Sequence, residues 1–238
     1  MTALLSTQDL TMRFGGVVAV DRVSLEVAEG ELRCLIGPNG AGKSTFFKCL
    51  TGQLQPTSGR IFWRGTDVTA RSTYALARLG IGIKTQVPSL FDGLDVRESV
   101  MLTLLRRHGN RHARTRTATV LEQFGIAPLA DRRVGLLAHG QRQLVELAMV
   151  VAPEPDLIIL DEPTAGMSAE ETLGAVEVIR SLNRSHAIVV VEHDMQFIRA
   201  IAQTVTVFHQ GRVLIEDDAA TVFSDPHVRD VYLGKSVP

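Results

Sequence analysis

Hydrophobic positions fall into two kinds of pattern along this chain. The first thirty residues alternate, as in Val18, Val20, Val23, Leu25 and Val27, which predicts paired strands ending at a Glu29-Gly30 turn. Ile61, Phe62 and Trp63, after the turn Pro56–Gly59, predict a further strand of the same small sheet. Leu32–Ile36, Asp156–Leu160 and Ala187–Val191 instead read as short, largely apolar runs, the pattern of strands buried on both faces. Helices are announced by their caps. Thr45–Leu50 reads as the start of one. Asp95 with Glu98, and Ser168 with Glu171, form capping boxes that open helices through Leu105 and Leu182. Another helix follows Gly140 and runs to Val151, where Pro153 and Pro155 stop it. Strands alternating with helices predict a parallel α/β sheet whose ligands gather at the carboxyl ends of the strands. No internal repeat or low-complexity linker interrupts the pattern.

Composition narrows this little. The 238 residues suit one domain, or a core with lobes. Net charge is −1, so no global field draws the protein to nucleic acid or anionic lipid. Cys34 and Cys49 lie in apolar segments and read as reduced core residues. No stretch approaches the 18 apolar residues of a membrane span, and Asp9 comes too early for a signal peptide. Arg106–Arg116 carries five arginines, two histidines and no acid, and reads as a solvated connection between helices. A sharper reading is contact with lipid headgroups or a partner. The run holds no aromatic, which argues against nucleic acid.

The candidate chemistry begins at Gly37-Pro38-Asn39-Gly40-Ala41-Gly42-Lys43-Ser44, which fills the phosphate-loop pattern G-x-x-x-x-G-K-[ST] between a strand and a helix. Backbone N–H groups of such a loop form an anion site, extended by the helix N-terminus that begins around Thr45. Lys43 reaches the β/γ-phosphates and the Ser44 hydroxyl ligates Mg²⁺. Asp161-Glu162, after four aliphatic residues, supplies an Mg²⁺-organising carboxylate and beside it one able to act on an attacking water. His193 closes the next strand. The glycine and glutamine of Leu137-Ala138-His139-Gly140-Gln141 open a helix, and Gln86 lies between the loop and the helical segment.

In this order the set resembles the ATP-binding cassette family of ATPases. Gly37–Ser44 corresponds to its Walker A loop, Leu157–Glu162 to Walker B, Gln86 to the Q-loop, 137–141 to the signature, Ala165–Ser168 to the D-loop, and His193 to the switch histidine. Phe14 falls where the family places an aromatic that stacks on adenine. The resemblance spans the whole chain. It implies a RecA-like, mostly parallel core sheet, an antiparallel β subdomain, and an inserted helical subdomain over about residues 87–150. It also implies ATP and Mg²⁺ as ligands, with Ser44, Gln86 and Asp161 around the metal. Glu162 is then the base and His193 the group holding the γ-phosphate and water in line. A second ATPase subunit, identical or different, packs head to tail, so that Ala138, His139, Gly140 and Gln141 of one face the Walker A loop of the other. Two transmembrane permease subunits, and through them a periplasmic or lipid-anchored binding protein, complete the expected partners; nucleic acid is not among them. The expected location is the periphery of the cytoplasmic face of the inner (plasma) membrane.

Two positions depart from the family pattern. The signature's usual serine is Ala138, which removes a hydroxyl, and Thr85 precedes Gln86 where an aromatic is common. Residues 137–141, 165–167, 191–195 and 231–234 resemble the cassettes of branched-chain amino-acid and urea-type importers, with Ala138 itself common there. His139 and the His-Gln-Gly run at 209–211 lean towards the urea type. Too few residues follow His193 for the regulatory domain of sugar importers. A DNA-repair cassette would place a long coiled coil in the interval Ser44 to Leu137, and a translation factor would carry two cassettes. A GTPase would carry an Asn-Lys-x-Asp base reader, which is absent. A phosphate-loop kinase would leave 137–141 and His193 without a role.

Overall fold

The computed structural model describes residues 3–86, 89–105 and 109–232. In chain order its elements begin with β1 (Leu5–Phe14), β2 (Val17–Val27), β3 (Leu32–Ile36), α1 (Lys43–Leu50), β4 (Ser58–Trp63) and β5 (Thr66–Asp67). Then come α2 (Thr73–Arg78), β6 (Ile81–Lys84), α3 (Val96–Leu105), α4 (Asn110–Gln123) and α5 (His139–Val151). The last part comprises β7 (Leu157–Asp161), α6 (Ala169–Asn183), β8 (Ala187–Val191), α7 (Met195–Ile201) and β9 (Thr204–His209). β10 (Arg212–Asp218), α8 (Ala219–Ser224) and α9 (Pro226–Tyr232) follow.

Two sheets result. The strands of one order as β2-β1-β4-β5, all antiparallel; those of the other as β10-β9-β3-β8-β7-β6, parallel except for the β10 edge. Every residue of β3, β7 and β8 is buried, and their pleat divides them between two cores. Cys34, Ile158, Leu160, Ile188 and Val190 face the α3–α7 side. Leu35, Leu157, Ile159, Val189 and Val191 face α1 and the antiparallel sheet. A strand covered on both faces shows no alternation in sequence, hence the apolar runs. Phe46, Phe47, Cys49 and Leu50 make α1 the layer between the sheets. Both capping boxes form: Asp95 Oδ1 accepts from Glu98 N at 2.7 Å and Ser168 Oγ from Glu171 N at 3.2 Å, each glutamate returning the bond.

The arginine-rich run is not a connection over its described part. Arg106, Arg107 and His108 lie outside the described residues, but α4 starts at Asn110. Ala113, Thr117, Val120 and Leu121 are buried at helical spacing, a stripe that packs against α3. Arg111 and Arg114 are exposed on the other face, while Arg116 is half-buried beside the stripe and reaches the Ala152 carbonyl at 3.4 Å and Glu154 at 3.3 Å, so periodicity prevails over charge density. Strands β9 and β6 are among those that escape the sequence pattern. In β9 the fully buried Thr206 breaks the apolar run, because its hydroxyl accepts from the buried Arg33 at 2.8 Å. β6 is only four residues long and carries Gly82 in its middle.

Candidate functional site

The carboxyl edge of the parallel sheet collects the candidate groups. After β3 the chain turns through Gly37–Gly42 into α1. Gly37 has φ 144°, and a Cβ there would lie 2.2 Å from the Phe208 carbonyl oxygen; at Gly42, φ 104°, it would lie 2.3 Å from that of Ala19. Only glycine fits at either end of the loop. The Gly211 N–H donates to the Ala41 carbonyl at 2.9 Å, tying the loop's middle to the β9–β10 turn. Lys43 Nζ donates to the carbonyls of Gly37 at 2.6 Å and Pro38 at 3.1 Å. Burial lowers its pKa, while Glu162 and Asp161 act in the opposite sense. Gly42, the N-cap of α1, brings no side-chain acceptor, so no cap occupies the first-turn N–H groups around Ser44 and Thr45, and Asn39, Gly40 and Ser44 are exposed.

Three neighbouring strands end on one another. Glu162 follows β7 with φ 45°, a left-handed conformation uncommon for a side-chain-bearing residue and frequent at functional sites. Its N–H donates to the Val191 carbonyl at the end of β8, 2.9 Å away. Gln86, just beyond β6, donates from Nε2 to Glu162 Oε2 at 2.8 Å. His193, just beyond β8, places Nδ1 3.5 Å from Glu162 Oε1 and leaves 62% of its side chain exposed. Burial first, then the neighbouring Glu162, push the Asp161 carboxyl up to about 6.

That donor set suits a hard cation. The Ser44 hydroxyl, the Gln86 amide oxygen left over from the Glu162 bond, and the Asp161 carboxylate would each offer oxygen to it, and a cation would relieve the cost of ionising Asp161. Among the described residues no cluster of three or more His, Cys, Asp or Glu side chains forms a self-contained metal site. One carboxylate plus phosphate oxygens is the pattern of nucleotide-bound Mg²⁺.

The remaining expected residues sit apart. Phe14 is 48% exposed at the end of β1, on the hairpin whose Ala19 carbonyl abuts Gly42. Ala138 is the N-cap of α5, and Gln141 Oε1 accepts its N–H at 3.2 Å. With no side-chain oxygen on Ala138, only this half of a capping box exists. His139 Nε2 meets the Ala165 carbonyl at 2.9 Å, which requires the proton on that nitrogen. Among the described residues no hydrogen bond joins 137–141 to the phosphate loop: the Leu137 N–H donates to the Val134 carbonyl at 3.2 Å, Ala138 pairs with Gln141 and Arg142, and His139 with Ala165.

A phosphate loop, a strand-end carboxylate pair and a second helix N-terminus now stand on one scaffold. The family described as ABC transporter matches residues 20–165. The branched-chain amino-acid transport ATP-binding protein LivG of Salmonella typhimurium is 36% identical over 98% of each chain. The chain belongs to the ABC transporter family. Its cassette is also 34% identical to BraF of Pseudomonas aeruginosa, named for the same transport, over 98% of each chain. The ADP conformation of the ATP-binding cassette MJ1267 superposes with a TM-score of 0.88 at 26% identity, over 99% of this chain and all of that one. This is a transport-class ATPase cassette. No described helix is long and apolar enough to cross a membrane.

Three groups around the cassette's site escaped the sequence reading. Lys84 of β6 and Glu146 of α5 form a buried ion pair at 3.2 Å, and Glu146 Oε1 also accepts the Ser89 N–H at 2.9 Å. A lone acid in the apolar stretch 144–151 is the signal that could have found it. Tyr232 of α9 lies beside the Gly37 backbone, with burial pushing its hydroxyl up to about 12. Glu192, 1% exposed, sits directly before His193 and spends its carboxylate inside the protein.

Proposed function

We propose that this cassette hydrolyses ATP to power import of branched-chain or other hydrophobic amino acids through separate permease subunits. The observation that carries the catalytic reading is Glu162, held between Gln86 and His193 at the carboxyl edge beside the phosphate loop. In this reading the loop N–H groups and Lys43 bind the β- and γ-phosphates, and Phe14 stacks on adenine. Glu162 takes a proton from the attacking water, and His193 holds that water and the γ-phosphate in line. Ser44, Asp161 and Gln86 would hold Mg²⁺, which would supply neutralisation of the phosphate charge.

Among the described residues no hydrogen bond joins the N-terminus of α5 to the phosphate loop of its own chain. A second subunit, packed head to tail, supplies one, so the positive end of α5 acts on the γ-phosphate of its partner. With Ala138 in place of a hydroxyl residue, backbone N–H groups make that contact. The lobe beyond Gln86 meets the permeases at the cytoplasmic face of the inner membrane. They in turn receive cargo from a periplasmic or lipid-anchored binding protein.

The cargo assignment rests on the similarity to LivG and BraF along the full chain. Co-purification from membranes with the permeases, followed by ATP turnover in the presence of leucine, isoleucine, valine or urea, tests it. Stimulation by the branched-chain amino acids supports the assignment, and stimulation by urea alone replaces it with an amide importer.

A further inference from the structure

Glu192 is a carboxylate in the wrong place for a core residue. It follows the fully buried β8 and is itself 1% exposed, where desolvation of an anion is costly unless hydrogen bonds offset it. Four donors do so. Oε1 accepts from Thr164 Oγ1 at 2.5 Å and from Thr164 N at 3.3 Å. Oε2 accepts from His193 N at 2.8 Å and Asp194 N at 3.4 Å. An aliphatic side chain would fill the same space without the desolvation cost, so packing alone gives no reason for this group.

Its partners do. Thr164 lies two residues beyond Glu162, and His193 is the other side chain on Glu162's carboxylate. The Glu192 backbone N–H reaches the Leu35 carbonyl in β3 at 3.3 Å, two residues before the phosphate loop. One residue therefore touches all three segments that carry the proposed catalytic groups. Asp194 fixes the far side of the His193 peptide by capping α7 through Oδ1, at 2.8 Å from Gln196 N and 3.2 Å from Phe197 N. The backbone of His193 is thus clamped from both sides, while its imidazole stays 62% exposed to meet a ligand.

We propose that Glu192 is a positioning residue for ATP hydrolysis, a bracket holding the His193 backbone against the segment that follows Glu162. The proposal rests on the ATPase reading of Glu162 and His193. It makes the approach of imidazole to carboxylate a property of the buried carboxylate beneath them. It also fixes the start of the 165–168 segment, whose Ala165 carbonyl meets His139 of α5.

Steady-state ATP turnover and nucleotide affinity of four full-length variants test it: Glu192→Gln, Thr164→Val, His193→Ala, and Glu192→Gln combined with His193→Ala. Glutamine keeps the shape but presents an N–H₂ group to donors on one side of the bracket, which opens. Turnover of Glu192→Gln should fall about 10- to 100-fold with ATP affinity nearly unchanged, the signature of a misplaced catalytic group. Thr164→Val removes only the hydroxyl donor and should show a smaller loss of the same kind, which decides the matter if Glu192→Gln does not fold. Adding Glu192→Gln to His193→Ala should cost nothing further, because the bracket acts through the histidine. Normal turnover in Glu192→Gln or Thr164→Val, or a fully additive double variant, overturns the bracket and leaves the ATPase reading standing. Normal turnover in His193→Ala overturns the underlying reading, and the bracket with it.

Discussion

Gln86 Nε2 donates a 2.8 Å hydrogen bond to Glu162 Oε2, 76 residues away in sequence but just beyond adjacent strands in space. The bond occupies one oxygen of the proposed base while the amide oxygen of Gln86 remains for Mg²⁺. Gln86→Ala should therefore leave nucleotide binding without Mg²⁺ intact. It should reduce the gain in affinity that Mg²⁺ brings, and lower turnover about tenfold or more. Calorimetric titration of ATP with and without Mg²⁺ separates the two effects. An unchanged Mg²⁺ contribution removes Gln86 from the metal.

Lys43 is the phosphate loop's own cation, and in the structure its ammonium rests on the Gly37 and Pro38 carbonyls. Lys43→Ala should abolish measurable ATP binding, since backbone dipoles alone are left to face the triphosphate. Phe14→Ala should weaken binding by about 1–3 kcal/mol if the exposed ring stacks on adenine. Fluorescent-nucleotide titration reads both. Undiminished affinity without Phe14 removes the stacking role alone.

Asp161 carries a pH signature. Its carboxyl is pushed from 3.8 up to about 6 by burial and by Glu162. The folded protein then holds this proton more tightly than the unfolded chain, so its contribution to stability falls as pH rises through that window and stays low above it. Asp161→Asn removes the ionisation. The nucleotide-free variant should be more stable than the parent at about pH 7.5, by roughly 1–3 kcal/mol, with the gain shrinking towards pH 4. Thermal melting at both pH values checks this; an equal shift at both contradicts the assignment. Mg²⁺-dependent hydrolysis should be lost in the same variant.

Lys84 and Glu146 join the edge of the core sheet to α5 through a pair that is 1% and 7% exposed. Truncating Glu146 to Ala strands the lysine and should cost about 3–5 kcal/mol, whereas Lys84→Met with Glu146→Leu should be close to neutral. Urea denaturation of the single and double variants measures the difference. A double variant as unstable as the single one would mean that the pair is worth more than its desolvation cost.

Groups whose geometry is local were legible before the fold was. The phosphate loop carries its own strand and helix, and each capping box lies within four residues. Asp161-Glu162 and His193 follow buried strands whose ends the apolar runs mark. Partnerships made by the sheet were not. Thr164 and Glu192, or Lys84 and Glu146, meet only because β6, β7 and β8 lie side by side and α5 packs against them, an arrangement no spacing announces. Strand β9 stayed hidden because Thr206 and Arg33 place a polar network, shared with Glu31 and Glu216, in an otherwise apolar layer. In the 106–116 run, density of charge masks the stripe of Ala113, Thr117 and Val120 beneath it.

The most direct test of the account is Glu162→Gln examined by size-exclusion chromatography with and without saturating ATP and Mg²⁺, alongside its ATP turnover. Glutamine keeps size and hydrogen bonding at the position but cannot accept the proton from water. The account predicts retained nucleotide binding, turnover lost by a factor of about 100 or more, and a dimer that forms with ATP-Mg²⁺ and persists. A Glu162→Gln protein that hydrolyses ATP at the parent's rate, or that stays monomeric at saturating ATP-Mg²⁺, would contradict it.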